Sequence, residues 1–203
     1  MKSVFKFSHF RHHKCAAAQY ESAHLRIFYG GRTETIRSCS NESLAFARAM
    51  LNPAANDQTR VELLKEAVNG HRQYTNMALQ GRGVDRHLLG LKLMALENNL
   101  PIPKFYTSPG YLKSSHFRIS TSQVATKNLA FMSYGPSTDD GYACCYNPRD
   151  NDMFLAVTSW RSNKETCSEK FATSIEEALS KMHEILMKTQ SDKKDKKETK
   201  CKK

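Results

Sequence analysis

Hydroxyl-bearing residues gather in short blocks along this chain. Tyr20-Glu21-Ser22 is followed closely by Gly31-Arg32-Thr33-Glu34-Thr35. Hydroxyls so grouped can coordinate a carboxylate or an alcohol oxygen through short, directional hydrogen bonds. The same residues also suit a capped loop carrying surface charges. In Gly83-Val84-Asp85-Arg86-His87-Leu88-Leu89-Gly90, Asp85 fits ordinary capping of a helix N-terminus, and Arg86 beside it offers a two-pronged fork that matches a carboxylate. Ser120-Thr121-Ser122-Gln123-Val124 is polar where a central strand should be apolar. Buried hydroxyls cost free energy unless paired, so such a strand end faces a ligand or a hydrogen-bonded network. His9 and His13 stand one helical turn apart with His12 beside them, but no carboxylate or third ligand is nearby, so no metal is expected. No GxSxG, HExxH, GxxxxGK[ST] or GxGxxG pattern occurs, which sets aside the usual hydrolase, metalloprotease and nucleotide-binding readings.

Helices come first among the elements that must hold these groups. Ser40 or Asn41 caps a helix over 42–50, with Leu44, Ala45 and Ala49 on one stripe and Pro53 beyond its end. A second helix runs from 57 to about 80 on the period of Val61, Leu64, Val68, Tyr74 and Met77, until Gly81-Arg82-Gly83 interrupts it. A third starts at Asp85 and ends by Asn99, before Pro101 and Pro103. The period then becomes that of strands, over 116–121, 129–133, 142–146 and 154–160. A last helix over 174–188 places Ile175, Ala178, Leu179, Met182, Ile185 and Leu186 on one face. This order implies an α+β fold, and no internal repeat is visible.

With 203 residues, 39% of them hydrophobic, the chain can form one domain without disulfides or metal. Its net charge of +11 resembles a nucleic-acid signature until it is located. Residues 188–203 hold eight lysines against three acids, so much of the excess sits in a tail that reads as solvated and disordered, leaving 1–187 as the domain. Through that tail, electrostatic association with nucleic acid or an anionic membrane is a weaker expectation, and no specific nucleic acid is. The six cysteines lack CxxC or framework spacing and read as reduced thiols in an intracellular compartment. Adjacent Cys144 and Cys145 would point to opposite faces of a strand. No transmembrane run or secretory signal is evident, so the Asn41-Glu42-Ser43 sequon reads as idle. The first acidic residue is Glu21, with Lys2, Lys6, Arg11 and Lys14 among aromatics before it, a pattern compatible with a mitochondrial presequence. Cys201-Lys202-Lys203 carries no peroxisomal Ser-Lys-Leu type of address.

Several blocks taken together resemble one family. Tyr20-Glu21-Ser22-Ala23, Gly31-Arg32-Thr33 through Arg37-Ser38, Asp85-Arg86-His87-Leu88-Leu89-Gly90-Leu91-Lys92, Ser120-Thr121-Ser122-Gln123-Val124, Gly135-Pro136 and Asp140-Gly141-Tyr142 to Pro148 occur in the order and spacing of the carnitine/choline acyltransferases, over roughly 10–187. The pattern is most similar to the carnitine-specific, acetyl-transferring members. Phe10-Arg11 through Cys15-Ala16 resembles the aromatic, basic helix that precedes the Tyr-Glu-Ser motif, an alternative to a presequence.

The resemblance implies a coenzyme A-dependent acyltransferase-like lobe, a mixed sheet packed with helices. It implies reversible transfer of a short acyl group between coenzyme A, as co-substrate with no permanently bound cofactor, and carnitine. It assigns Tyr20, Ser22, Thr33, Thr35, Ser120 and Tyr134 to carnitine, with the Tyr134 ring beside the trimethylammonium group. Arg86 would hold the carnitine carboxylate; choline-specific members resemble the chain with Val, Asn and Asn at Thr33, Thr35 and Arg86, and choline has no carboxylate. Ser122 would stabilise the tetrahedral oxyanion. Arg72 and Gln123 match coenzyme A contacts, and Met132 would fill the acyl pocket where long-chain members have Gly.

The chain also departs from the family pattern. Ala125 replaces a proline, and Ser137-Thr138-Asp139 replaces an apolar stretch. None of the eight histidines sits in the family's catalytic motif, so the chain resembles the C-terminal lobe alone, with an N-terminal lobe as partner. Two readings remain: part of a carnitine acyltransferase of mitochondrial or peroxisomal setting, or a non-catalytic module that binds carnitine or coenzyme A.

Overall fold

Strands occupy both charged segments near the N-terminus, where charge and hydroxyl content also suited a loop. In the computed structural model, which describes residues 1–124, 126–127 and 130–201 with side chains as far as residue 191, these are β1 (Gln19–His24) and β2 (Thr33–Arg37). Alternation decides the conformation: Ala23 and Ile36 go inward and pack on Ala78, while Ser22 and His24 stay at the surface. Leu25-Arg26-Ile27-Phe28-Tyr29-Gly30-Gly31-Arg32 turns the chain between them, with Gly30 at φ +64°, a conformation that favours glycine.

The chain divides into two units, residues 1–16, 39–71 and 170–203, and residues 17–38 and 72–169. The first unit is helical. It comprises α1 (Lys2–His13), α2 (Asn41–Leu51), the first part of α3 (Asp57–Leu79) and nearly all of the C-terminal helix (Ser168–Cys201). Ser40 is the cap of α2: its hydroxyl accepts from the Ser43 N–H, and the Ser43 hydroxyl accepts from the Ser40 N–H, a closed capping box. Phe7 meets Phe46 edge to face at 6.1 Å, His9 meets Phe171 at 6.4 Å, and Arg11 pairs with Glu177. The His9 and His13 rings lie 4.5 Å apart, with His9 Nδ1 at 3.3 Å from the Cys15 carbonyl. Apolar period predicts the last helix over 174–188, and its backbone is helical to Cys201. Lysine and glutamate are good helix formers, so propensity extends the element past its last apolar anchor.

The second unit holds a mixed five-stranded sheet in the order β2-β1-β3-β4-β5, with β3 (Ile119–Gln123), β4 (Tyr142–Pro148) and β5 (Met153–Ser159). β1 runs parallel to β3 and β3 to β4, and the outer pairs are antiparallel. Of the helices, α4 (Asp85–Glu97) and α5 (Pro109–Ser115) belong wholly to this unit. Cys144 and Cys145 do alternate, and both are buried on β4, an inner strand of the sheet. The expected strand over 129–133 is absent among the described residues 130–133; Leu129 lies outside them, as does Ala125. The residues that follow are held to β5 and its end by single contacts: Thr158 Oγ1 donates to the Tyr134 carbonyl at 2.5 Å and Trp160 Nε1 to the Pro136 carbonyl at 3.3 Å. Trp160 also covers Gly135 so closely that a Cβ there would come within 2.8 Å of its ring.

Asp140 anchors the turn into β4, 2.7 Å from His116 Nε2 and 3.0 Å from Arg118 Nε. Partial burial pushes its pKa up, but the His116 hydrogen bond and the Arg118 charge outweigh it and hold the carboxyl below its usual value. A depressed carboxylate stabilises the fold above its unfolded pKa and loses that contribution as pH falls through the folded value. Asp140→Asn is therefore expected to lower the melting temperature at pH 7, with a difference that shrinks as the solution passes below pH ~4. A melting series across pH checks it. No described helix is long and apolar enough to cross a membrane.

Candidate substrate-binding face of the sheet

Strand register places most of the singled-out hydroxyls on one surface. Tyr20 pairs with Arg37 on one side and Ser120 on the other, and Ser120 pairs in turn with Ala143. Residues in one row share a face, and so does every second residue along each strand. Ser22 and Thr35 are a cross-strand pair, Thr33 lies two residues further along β2, and Ser122 pairs with Cys145. Tyr20, Ser22, Thr33, Thr35, Ser120 and Ser122 therefore occupy a single face. Thr35 and Ser120 are buried, Tyr20, Thr33 and Ser122 are half-buried, and Ser22 is exposed. Ser120 Oγ donates to the Tyr134 hydroxyl at 3.5 Å, which joins Tyr134 to the group. Burial holds the Tyr134 phenol well above its ordinary pKa, so it is a neutral hydroxyl at physiological pH.

Arg86 reaches the edge of this face from α4. Its Nε donates to the Thr33 carbonyl at 2.8 Å and Nη2 to Thr33 Oγ1 at 3.4 Å. The side chain is exposed and has no carboxylate partner among the described residues. Its neighbour in type, Arg37, is spent internally: Nε and Nη2 grip Asp85 at 2.9 and 2.7 Å, and Nη1 donates to the Ser114 carbonyl at 2.6 Å. Asp85 is thus more than a helix-start residue, because the fork from Arg37 ties the beginning of α4 to β2.

Met132 lines an apolar cavity of about 240 Å³ with Phe131, Val124, Cys145, Phe154 and Ala156. Cys145 is the register partner of Ser122, so this cavity adjoins the hydroxyl face at its Ser122 end. Gln123 behaves differently. It belongs to the opposite face of β3, where its Oε1 lies 3.4 Å from the Tyr146 hydroxyl, itself 3.3 Å from Glu21 Oε1. Burial first and the Glu21 carboxylate second push the Tyr146 phenol upward. Arg72 stands exposed on α3, and no contact joins it to Gln123 among the described residues.

The face combines a half-committed guanidinium, a row of hydroxyls, a neutral phenol and an adjoining apolar cavity. Such a set suits a small zwitterionic alcohol and a short acyl group. A sequence model of the Choline/Carnitine o-acyltransferase family matches residues 1–177. The chain belongs to that family. It is 44% identical over 183 residues to carnitine O-acetyltransferase of Rattus norvegicus, covering 90% of the chain and 29% of the relative. Carnitine O-acetyltransferase of Homo sapiens is 40% identical over 186 residues, covering 92% and 30%. Choline O-acetyltransferase of Gallus gallus is 36% identical over 190 residues, covering 93% and 30%. The chain thus spans less than a third of the length of these acyltransferases.

Glu34 and Gly83 carry more of this geometry than their residue types announce. Glu34 reads as one more surface charge inside a polar run, yet it is buried beneath α4. The available signal was its alternation with Thr33 and Thr35, which forces it to the other face.

Proposed function

We propose that the chain supplies the carnitine-recognising lobe of an enzyme that transfers a short acyl group reversibly between coenzyme A and carnitine. The observation that carries this reading is the Arg86 fork, held at Thr33 and left without an internal carboxylate on the edge of the hydroxyl face. Choline offers no group for that fork, whereas the carnitine carboxylate accepts two parallel hydrogen bonds from it. Tyr20, Ser22, Thr33 and Thr35 add hydroxyl contacts to the carboxylate. The neutral Tyr134 ring faces the trimethylammonium end, and Ser120 orients its hydroxyl. Ser122 donates to the carbonyl oxygen as negative charge develops there during attack by the carnitine hydroxyl on the thioester. The base that removes the hydroxyl proton is a histidine of the remaining part of the parent enzyme, and Arg72 and Gln123 contribute to coenzyme A binding. An intracellular setting, mitochondrial or peroxisomal, accompanies this assignment.

Acyl-chain length is assigned to Met132. Its side chain stands in the wall of the apolar cavity, where it would meet the tail of a longer acyl group. Met132→Gly removes most of a side chain and is expected to raise kcat/KM for medium-chain acyl-coenzyme A at least about tenfold relative to acetyl-coenzyme A. Competition assays between the two thioesters read this ratio, and an unchanged ratio would take Met132 out of the pocket.

The second reading is a binding module without catalysis, favoured by the lack of a histidine in the catalytic pattern. The surface of α4 weighs against it. No residue of α4 is buried, and Leu89, Leu91, Leu93, Met94 and Leu96 are all exposed. An apolar helix of this kind calls for a covering surface, which a larger parent would supply. The deciding experiment is a steady-state transfer assay of the full-length protein containing this chain, with acetyl-coenzyme A and either carnitine or choline. Preferential turnover of carnitine supports the reading, and preferential turnover of choline rejects it.

A further inference from the structure

A helix that begins after valine has no side chain of its own to satisfy its first amides. Val84 precedes α4 as its N-cap and makes no side-chain cap bond, so the first-turn N–H groups need acceptors from elsewhere. One comes from the neighbouring edge strand. Glu34, only 1% exposed, directs its carboxylate under the start of α4, where Oε2 accepts from the Arg86 N–H at 3.3 Å. Its other oxygen, Oε1, accepts from the Thr35 N–H at 2.7 Å. A carboxylate at this end is also favoured by the helix dipole. Room for it exists because residue 83 is glycine: a Cβ there would lie 2.3 Å from Glu34 Cγ and 2.5 Å from its carboxyl carbon.

One buried carboxylate therefore bonds the backbone of Arg86 and the backbone of Thr35 at once. The Arg86 side chain completes the link by donating from Nε to the Thr33 carbonyl at 2.8 Å. The Arg37–Asp85 pair holds the same helix to the same strand, but it leaves the Arg86 N–H unaddressed. We infer that Glu34, accommodated by Gly83, is a positioning residue for carboxylate recognition: it sets the Arg86 fork in register with Thr33 and Thr35 and touches no substrate itself. This rests on the proposal that Arg86 meets the carnitine carboxylate.

The test uses the full-length enzyme containing this chain and compares Glu34→Gln, Arg86→Asn and the double variant for carnitine KM, acetyl-coenzyme A KM and kcat. Glutamine keeps the size but turns one acceptor into a donor facing an N–H. The expected result is a rise in carnitine KM of about tenfold or more for Glu34→Gln, with kcat and the acetyl-coenzyme A constant within about twofold. The double variant should be no worse for carnitine than Arg86→Asn alone, because both changes disable one device. Gly83→Ala, which must displace the Glu34 side chain, should give the same carnitine-selective loss and serves if Glu34→Gln folds poorly. If Arg86→Asn raises carnitine KM while Glu34→Gln and Gly83→Ala leave it unchanged, the positioning role is overturned and the carboxylate reading stands. Equal loss of kcat with both substrates and an unaltered carnitine KM would make Glu34 a folding residue only. An unchanged carnitine KM in Arg86→Asn would remove the carboxylate reading and this inference together.

Discussion

Arg86→Asn in the full-length parent is expected to raise the Michaelis constant for carnitine by about a hundredfold while changing kcat at saturation and the constant for acetyl-coenzyme A little. The guanidinium is held by Thr33 through one edge, and no described carboxylate competes for it. A ligand carboxylate would therefore meet a preorganised fork. Asparagine retains a hydrogen-bonding group but neither charge nor fork, so the loss falls on the substrate that brings a carboxylate. Choline brings none, and its turnover should change much less. Steady-state kinetics with the two alcohols in parallel provide the measurement. An unchanged carnitine constant would take Arg86 out of the site.

Ser122→Ala should act on the other kinetic constant. Its hydroxyl stands at the end of β3 opposite Cys145, on the face shared with Tyr20 and Ser22 and next to the apolar cavity. A donor that strengthens its bond only as the carbonyl oxygen gains charge contributes to the transition state more than to ground-state binding. Removing it is expected to lower kcat by about a hundredfold to a thousandfold with both Michaelis constants within a few-fold. A change confined to the Michaelis constants would instead make Ser122 a substrate contact.

The short α5 was not anticipated, whereas α2, α3 and α4 were legible in the sequence because each carries an apolar period and a chemical stop. Ser40, the glycines around Arg82, and Pro101 bound them nearly where the structure does. Strands β3, β4 and β5 were found within a few residues for the same reason. By contrast, β1 and β2 were not anticipated as strands, since their inward positions include Gln19, Glu21 and Glu34, which no hydrophobicity pattern marks as buried. The expected strand near Phe131 shows the converse. Phe131 and Met132 line a cavity and lie exposed rather than pairing in the sheet, so composition suggested an element that packing does not require.

The hydroxyl blocks were legible as chemistry, but not their assembly. Only the pairing of β1 with both β2 and β3 shows that Tyr20, Ser22, Thr35, Ser120 and Ser122 occupy one face, because register between strands far apart in sequence is a tertiary property. Likewise, local sequence could not distinguish the two arginines. Arg37 and Arg86 each follow or precede polar residues, and only the fold commits Arg37 to Asp85 and leaves Arg86 at the surface.

Acyl transfer by the endogenous protein tests the central claim most directly. The protein would be captured from its source with an antibody to residues 154–187 and supplied with acetyl-coenzyme A, and release of free thiol would be followed with carnitine or choline added. Carnitine-dependent release that greatly exceeds release with choline is the predicted result. Release with choline instead, or none with either alcohol, would contradict it.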